Sequence, residues 1–338
     1  MIYSYRVYGL NCRANVPIPG LRREEFPSEE PDICLHISSA PPEWVYEAWT
    51  LSASEIHRKP AADGLLGSQP CVTVFGNNAY FQLAYGDGTQ FVMDGAGKSL
   101  WGTCSAPLSA EDLAVYLRGP ALGFALRLRG ITSLHASAVV IRSMAVLFCG
   151  SSESGKSTTA AALSLQGRAV LCDDIAPLSR HNAVYQVEPG YSRICLWPDV
   201  VRILLGTPNA LPRLTPTWEK CFLPLDGAIA NYEEQRRPLA IIYVLADRDN
   251  ADAPRIDEIA PREALVELVK NTYMNWFSDR KQRAAEFHDL SEIVTRVPVR
   301  RIVPHLQSSR IHDLCGLITS DAEDVITNRR PAGILAAR

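Results

Sequence analysis

Eight consecutive residues constrain this 338-residue chain more than any others: Gly150-Ser151-Ser152-Glu153-Ser154-Gly155-Lys156-Ser157. They satisfy the spacing G-x-x-x-x-G-K-[ST], and Thr158 continues the run. Glycines let the backbone turn until its N–H groups converge on phosphate oxygens, and a helix starting at the lysine adds the positive end of its dipole. The lysine reaches the β- and γ-phosphates, and the serine hydroxyl is a magnesium ligand. The flanks suit this task. Ala145–Cys149 reads as a strand, and Ser157–Gln166, rich in Ala and Leu and closed by Gly167, reads as a helix. The run Gly95-Ala96-Gly97-Lys98-Ser99 is a decoy: Val92 stands where the first glycine is required, and its flanks predict a hairpin turn.

Asp173-Asp174 closes the apolar run Ala169–Cys172, after the helix. In open α/β sheets ligands gather at the carboxyl ends of strands, so this pair is expected beside the loop. One carboxylate can hold magnesium and the other can take a proton from an attacking hydroxyl. His135 lies upstream in Leu134-His135-Ala136-Ser137, within a predicted strand Ser133–Ile141. Taken alone, a strand histidine reads as a hydrogen-bonded structural group.

Residues 1–106 predict an antiparallel β-rich domain: short runs at Tyr3–Tyr8, Ile33–Ile37, Val72–Phe75, Tyr80–Tyr85 and Phe91–Met93 alternate with Gly, Asn and Asp turns. No catalytic constellation is present there, which suits a recognition module. Residues 107–130 predict a connecting helix that starts at Ser109, is bent at Gly119-Pro120 and ends at Gly130. Residues 131–327 form the phosphate-loop domain. A strand is expected at Leu239–Leu245, helices at Pro261–Tyr273 and about Asn275–His288, a strand at Val297–Val303 and a last helix from about Ser309; residues 328–338 read as a flexible tail.

A net charge of −3 gives no basic excess for nucleic acid. No signal peptide and no apolar run long enough to span a membrane is visible, so a cytoplasmic protein is expected. The nine cysteines are scattered without C-x-x-C spacing and read as free thiols, with Cys149 and Cys172 as packing residues at strand ends. A homo-oligomer is left open.

Leu134-His135, the Gly150–Ser157 loop, Gly167 and Val170–Asp174 together resemble the catalytic domain of the HPr kinase/phosphorylase family, whose core is similar to that of ATP-dependent phosphoenolpyruvate carboxykinase. Tyr8-Gly9-Leu10, Leu196-Trp197-Pro198-Asp199 and the Pro238–Leu245 strand look closer still to HPr-kinase-like proteins of peptide-modification clusters, including those of lasso peptides. The resemblance implies an ATP- and Mg2+-dependent kinase acting on a serine hydroxyl of a peptide or protein. It implies Asp174 as base, Asp173 at the metal with Ser157, His135 near the transferred phosphate, and Arg236 or Arg237 on the phosphoryl group. Glu153 departs from the family, which has a glycine there, and is expected to point to solvent. A small-molecule phosphotransferase or carboxykinase-like enzyme, or a nucleotide-binding switch, are the alternatives.

Overall fold

The computed structural model describes residues 1–25, 30–57, 70–182, 184–277 and 280–328. The first part of the chain is an eight-stranded sheet of β1 (Tyr3–Val7), β2 (Leu10–Ala14), β3 (Ile33–Ile37), β4 (Ala53–His57), β5 (Cys71–Phe75), β6 (Tyr80–Ala84), β7 (Gln90–Asp94) and β8 (Ser99–Thr103), in the order β1-β2-β3-β8-β7-β6-β5-β4. The expected antiparallel character is corrected at two places: β2–β3 and β3–β8 pair in parallel, because β3 returns by a long connection instead of a hairpin. The decoy run is the β7–β8 turn, where Asp94 accepts the N–H groups of Ala96, Lys98 and Ser99. An unforeseen helix, α1 (Glu43–Thr50), buries Val45 against Val92 and Trp101.

The other face of this sheet is filled by α2 (Ala110–Tyr116), a π-helical turn at Leu117–Ala121 and α3 (Leu122–Leu128). Leu113, Leu117, Phe124 and Leu126 are buried in one cluster with Phe81, Leu83 and Phe91 of the sheet. The helix is therefore core to the first sheet as well as a link onward. Ser109 caps it: its hydroxyl accepts from Asp112 N–H, and the Asp112 carboxylate accepts from Ser109 N–H at 2.9 Å. Pro120 lies inside the π turn, which is where the bend was expected.

The second sheet contains β9 (Ser133–Leu134), β10 (Ala136–Ile141), β11 (Met144–Gly150), β12 (Val170–Cys172), β13 (Ala176–His181) and β14 (Val184–Val187). After a small ribbon of β15 (Arg193–Leu196) and β16 (Cys221–Pro224), the sheet is completed by β17 (Arg237–Leu245), β18 (Arg255–Glu258) and β19 (Val299–Val303). Strands β11, β17 and β19 are parallel, and β10 runs antiparallel between β11 and β12. The helix α4 (Lys156–Leu165) and α8 (Ile311–Asn328) pack on one face, and α6 (Pro261–Lys270) and α7 (Arg280–Arg296) on the other, with α5 (Pro198–Leu205) beside α4's face. The helix expected from about Asn275 begins instead at Arg280, residues 278–279 lying outside the described residues. Apart from Asn328, which closes α8, the expected tail also lies outside them. Among the described residues no helix is long and apolar enough to cross a membrane.

Replacing Ser109 with alanine removes the cap at the entrance to a buried helix. Stability should fall by about 1 kcal/mol, read as a lower urea midpoint at unchanged slope. An unchanged midpoint would mean that the cap does not hold this helix.

Candidate functional site

Strand direction brings the site together. Because β10 is antiparallel to both neighbours, the carboxyl ends of β11 and β12 and the amino end of β10 lie on one edge of the sheet. The Gly150–Ser157 loop leaves the first, Asp173-Asp174 the second, and His135 precedes the third, at the break between β9 and β10. The expected single strand Ser133–Ile141 is thus two strands, and the histidine is the residue between them.

The loop turns into α4 at Gly155, whose φ of 103° is left-handed and suits glycine. Glu153 also adopts a left-handed φ, 64°, and its side chain is exposed. A left-handed backbone suits glycine, and the exposed glutamate that takes it here is among the residues lining the adjacent cleft. Lys156 is 6% exposed, and its Nζ donates to the carbonyls of Gly150 at 2.9 Å and Ser151 at 2.8 Å. Burial lowers its pKa, offset in part by the charges of Asp174 and Asp173. Ser154 Oγ is buried without a hydrogen-bond partner.

Asp173 is 2% exposed and is held at three points. Its Oδ1 accepts from Ser157 Oγ at 2.8 Å and Ser137 Oγ at 2.7 Å, and its Oδ2 accepts from Cys195 N–H at 3.1 Å. Burial raises its pKa, with the Asp174 charge adding to the effect and the three hydrogen bonds opposing it. Asp174 is 43% exposed on its side chain, and its Oδ1 lies 3.1 Å from Nε2 of His135. Desolvation pushes its pKa up, but the hydrogen bond and charge of His135, with Lys220 and Lys156, outweigh it and hold the carboxyl below its ordinary value. Its φ of 69° lies in the left-handed region, which aspartate tolerates better than most residues.

A cleft of about 750 Å³ is lined by loop residues, His135, Asp174, Cys195, Trp197, Lys220 and Arg248, with Asp173 buried behind Ser157. A second, smaller hollow shares Gly155, Thr158, Val200 and Arg248 with it and runs on to Pro304–Leu314. Among the described residues no group of three or more His, Cys, Asp or Glu side chains forms a metal cage. The oxygen pair of Ser157 and Asp173 still fits Mg2+, which is commonly held by one or two protein oxygens together with phosphates and water.

The expectation for Arg237 is corrected. Arg237 begins β17, whose other end, Leu245, aligns with Gly150. Eight strand residues at about 3.3 Å each put it roughly 26 Å from the loop, where both Nε and Nη2 donate to Glu233. Arg236 is likewise turned away, 3.8 Å from Glu188. Arg248, just past the carboxyl end of β17, and Lys220 line the cleft with Lys156. Sequence gave no signal for either, since both come from irregular segments. Asn271 was also missed. Its Oδ1 accepts from Gly150 N–H at 2.9 Å and its carbonyl from His135 N–H at 2.7 Å, so one residue ties the loop to the histidine.

All nine cysteines are free. Cys149 and Cys172 are buried; burial pushes the Cys149 thiol up to about 12 and that of Cys172 higher than usual, which disfavours nucleophilic thiolate.

No protein-family model and no curated protein sequence matches the chain. Among solved structures, the Hpr(Ser) kinase/phosphatase from Coxiella burnetii is similar at 16% identity and a TM-score of 0.30, over 58% of this chain and 93% of that one. Both values are too low for function to follow from them, so the site's own chemistry decides.

Asn271→Ala leaves the buried Gly150 N–H without an acceptor. The expected loss is about 1–3 kcal/mol of stability, measured by chemical unfolding. A variant as stable as the parent would show that the loop does not need this tie.

Proposed function

We propose that the chain is a kinase that uses ATP and Mg2+ to phosphorylate a serine hydroxyl of a peptide or protein, with a lasso-peptide precursor among the candidate acceptors. The observation that carries this reading is the cleft that Lys156, Ser157, Asp174 and His135 line together, with the buried Asp173 carboxylate directly behind Ser157 Oγ and Asp174 bonded to His135.

Phosphoryl transfer asks little covalent work of a protein; it asks for positioning and charge neutralisation. Lys156, held now by loop carbonyls, carries the charge that the β- and γ-phosphates need. Ser157 Oγ and Asp173 Oδ1 would hold the metal, which when bound neutralises phosphate charge. His135 occupies Oδ1 of Asp174 and fixes the carboxylate, leaving Oδ2 for the proton of the acceptor hydroxyl. A carboxyl held below its ordinary pKa is ionised at neutral pH and is available as that base. Residues 1–106 would then serve as the recognition module, 107–130 as the link and 131–327 as the catalytic unit.

Asp174→Asn should retain nucleotide binding but lose transfer by roughly 10²–10⁴, whereas Asp173→Asn should chiefly raise the Mg2+ requirement. The readout is a mass gain of about 80 Da, one phosphate, on the peptide encoded nearest the gene. Exchanged phenotypes would exchange the two roles. Full transfer in both variants, or phosphorylation of a metabolite with none of any peptide, would overturn the reading and favour a small-molecule phosphotransferase.

A further inference from the structure

Arg118 is 2% exposed, yet among the described residues no carboxylate pairs with it. Its Nε donates to the Ala114 carbonyl at 3.0 Å, its guanidinium lies 4.8 Å from the centre of the Tyr191 ring, and its Nη1 is buried without a partner. A second guanidinium stands beside it. Arg193 sits 4.0 Å over the Phe222 ring and likewise makes no ion pair among the described residues. A Cβ on Gly20 would stand 2.9 Å from the guanidinium carbon of Arg118 and 3.1 Å from that of Arg193, so the two charges press on one point. Burial and then the Arg118 charge lower the pKa of Arg193, and Glu111 acts on it only from a distance. Like charges drawn out of water without a counter-ion are unfavourable, and a bound anion relieves both terms.

The position of the pair gives it a use. Arg193 is two residues before Cys195 on β15, so the two side chains share a face, and Cys195 lines the cleft and gives its N–H to Asp173. Arg118 precedes Gly119 in the π turn, and a Cβ on Gly119 would lie 3.7 Å from Asp174 Oδ2, the carboxylate oxygen that His135 leaves free. π turns of this kind recur at functional sites. Lys220, stacked on the exposed Trp197 ring at 4.9 Å, adds positive charge to the cleft.

We infer that Arg118 and Arg193 form an oxyanion subsite for the acceptor: the molecule that brings its hydroxyl to Asp174 also carries a carboxylate or phosphate that the two guanidiniums bind. The identity of that molecule rests on the kinase reading, whereas anion binding by the pair does not. Two adjacent forks suit either planar carboxylate or phosphate.

The full chain, saturated with a non-hydrolysable MgATP analogue so that the loop is filled, is titrated with inorganic phosphate and separately with acetate by calorimetry. One anion per chain should bind. Arg193→Gln should weaken it by about tenfold or more, Arg193→Lys by less, and neither should change affinity for the analogue. Binding of phosphate alone points to a phosphorylated acceptor, and binding of acetate to a carboxylate. No binding of either anion to the parent, or parent-like binding by Arg193→Gln, overturns the subsite. If the analogue itself does not bind, the kinase reading fails separately; phosphate titration of the unfilled chain, parent against Arg193→Gln, still decides the subsite by the same criterion. Thermal melting of both variants checks that they remain folded.

Discussion

The hydrogen bond between Ser157 Oγ and Asp173 Oδ1, 2.8 Å long, ties the site together. It joins the first turn of α4 to the end of β12, sixteen residues later in the chain. The strand between them in space, β10, is antiparallel to both neighbours, and this alone sets the loop and the acids on the same edge. Ser137 on β10 bonds the same carboxylate oxygen, so three elements meet at one atom. Reversal of any one of these strands would send its functional residue to the far edge, as β17 does with Arg237.

Charge is divided between the two neighbouring carboxylates by their surroundings. Asp173 is enclosed and meets only hydroxyls and an N–H, which leaves burial dominant. Asp174 lies in the open cleft among His135, Lys220 and Lys156, which hold it ionised. Two acids adjacent in sequence therefore differ in the direction of their shifts.

His135 stood out only through the family resemblance, since alone it read as a structural group. The loop and the acidic pair were legible because each is local, a fixed spacing and a strand end. The hairpins of the first sheet and the Ser109 cap were legible for the same reason, since turn and cap chemistry is written in neighbouring residues. The parallel pairing of β3 was not, because sequence pattern fixes alternation but not partners. Lys220 and Arg248 escaped notice because they reach the cleft from irregular segments, and Asn271 because its tie to the loop is a tertiary contact made from the end of a helix. Arg237 was misplaced because a family role was assigned without knowing which end of its strand faces the loop.

Titration of MgATP against the parent and Lys156→Ala tests most directly whether the loop holds a nucleoside triphosphate through Lys156. The parent should bind and the variant should lose affinity by about tenfold or more, because a charge-assisted contact to phosphate is removed. Equal binding by the two proteins would contradict the account.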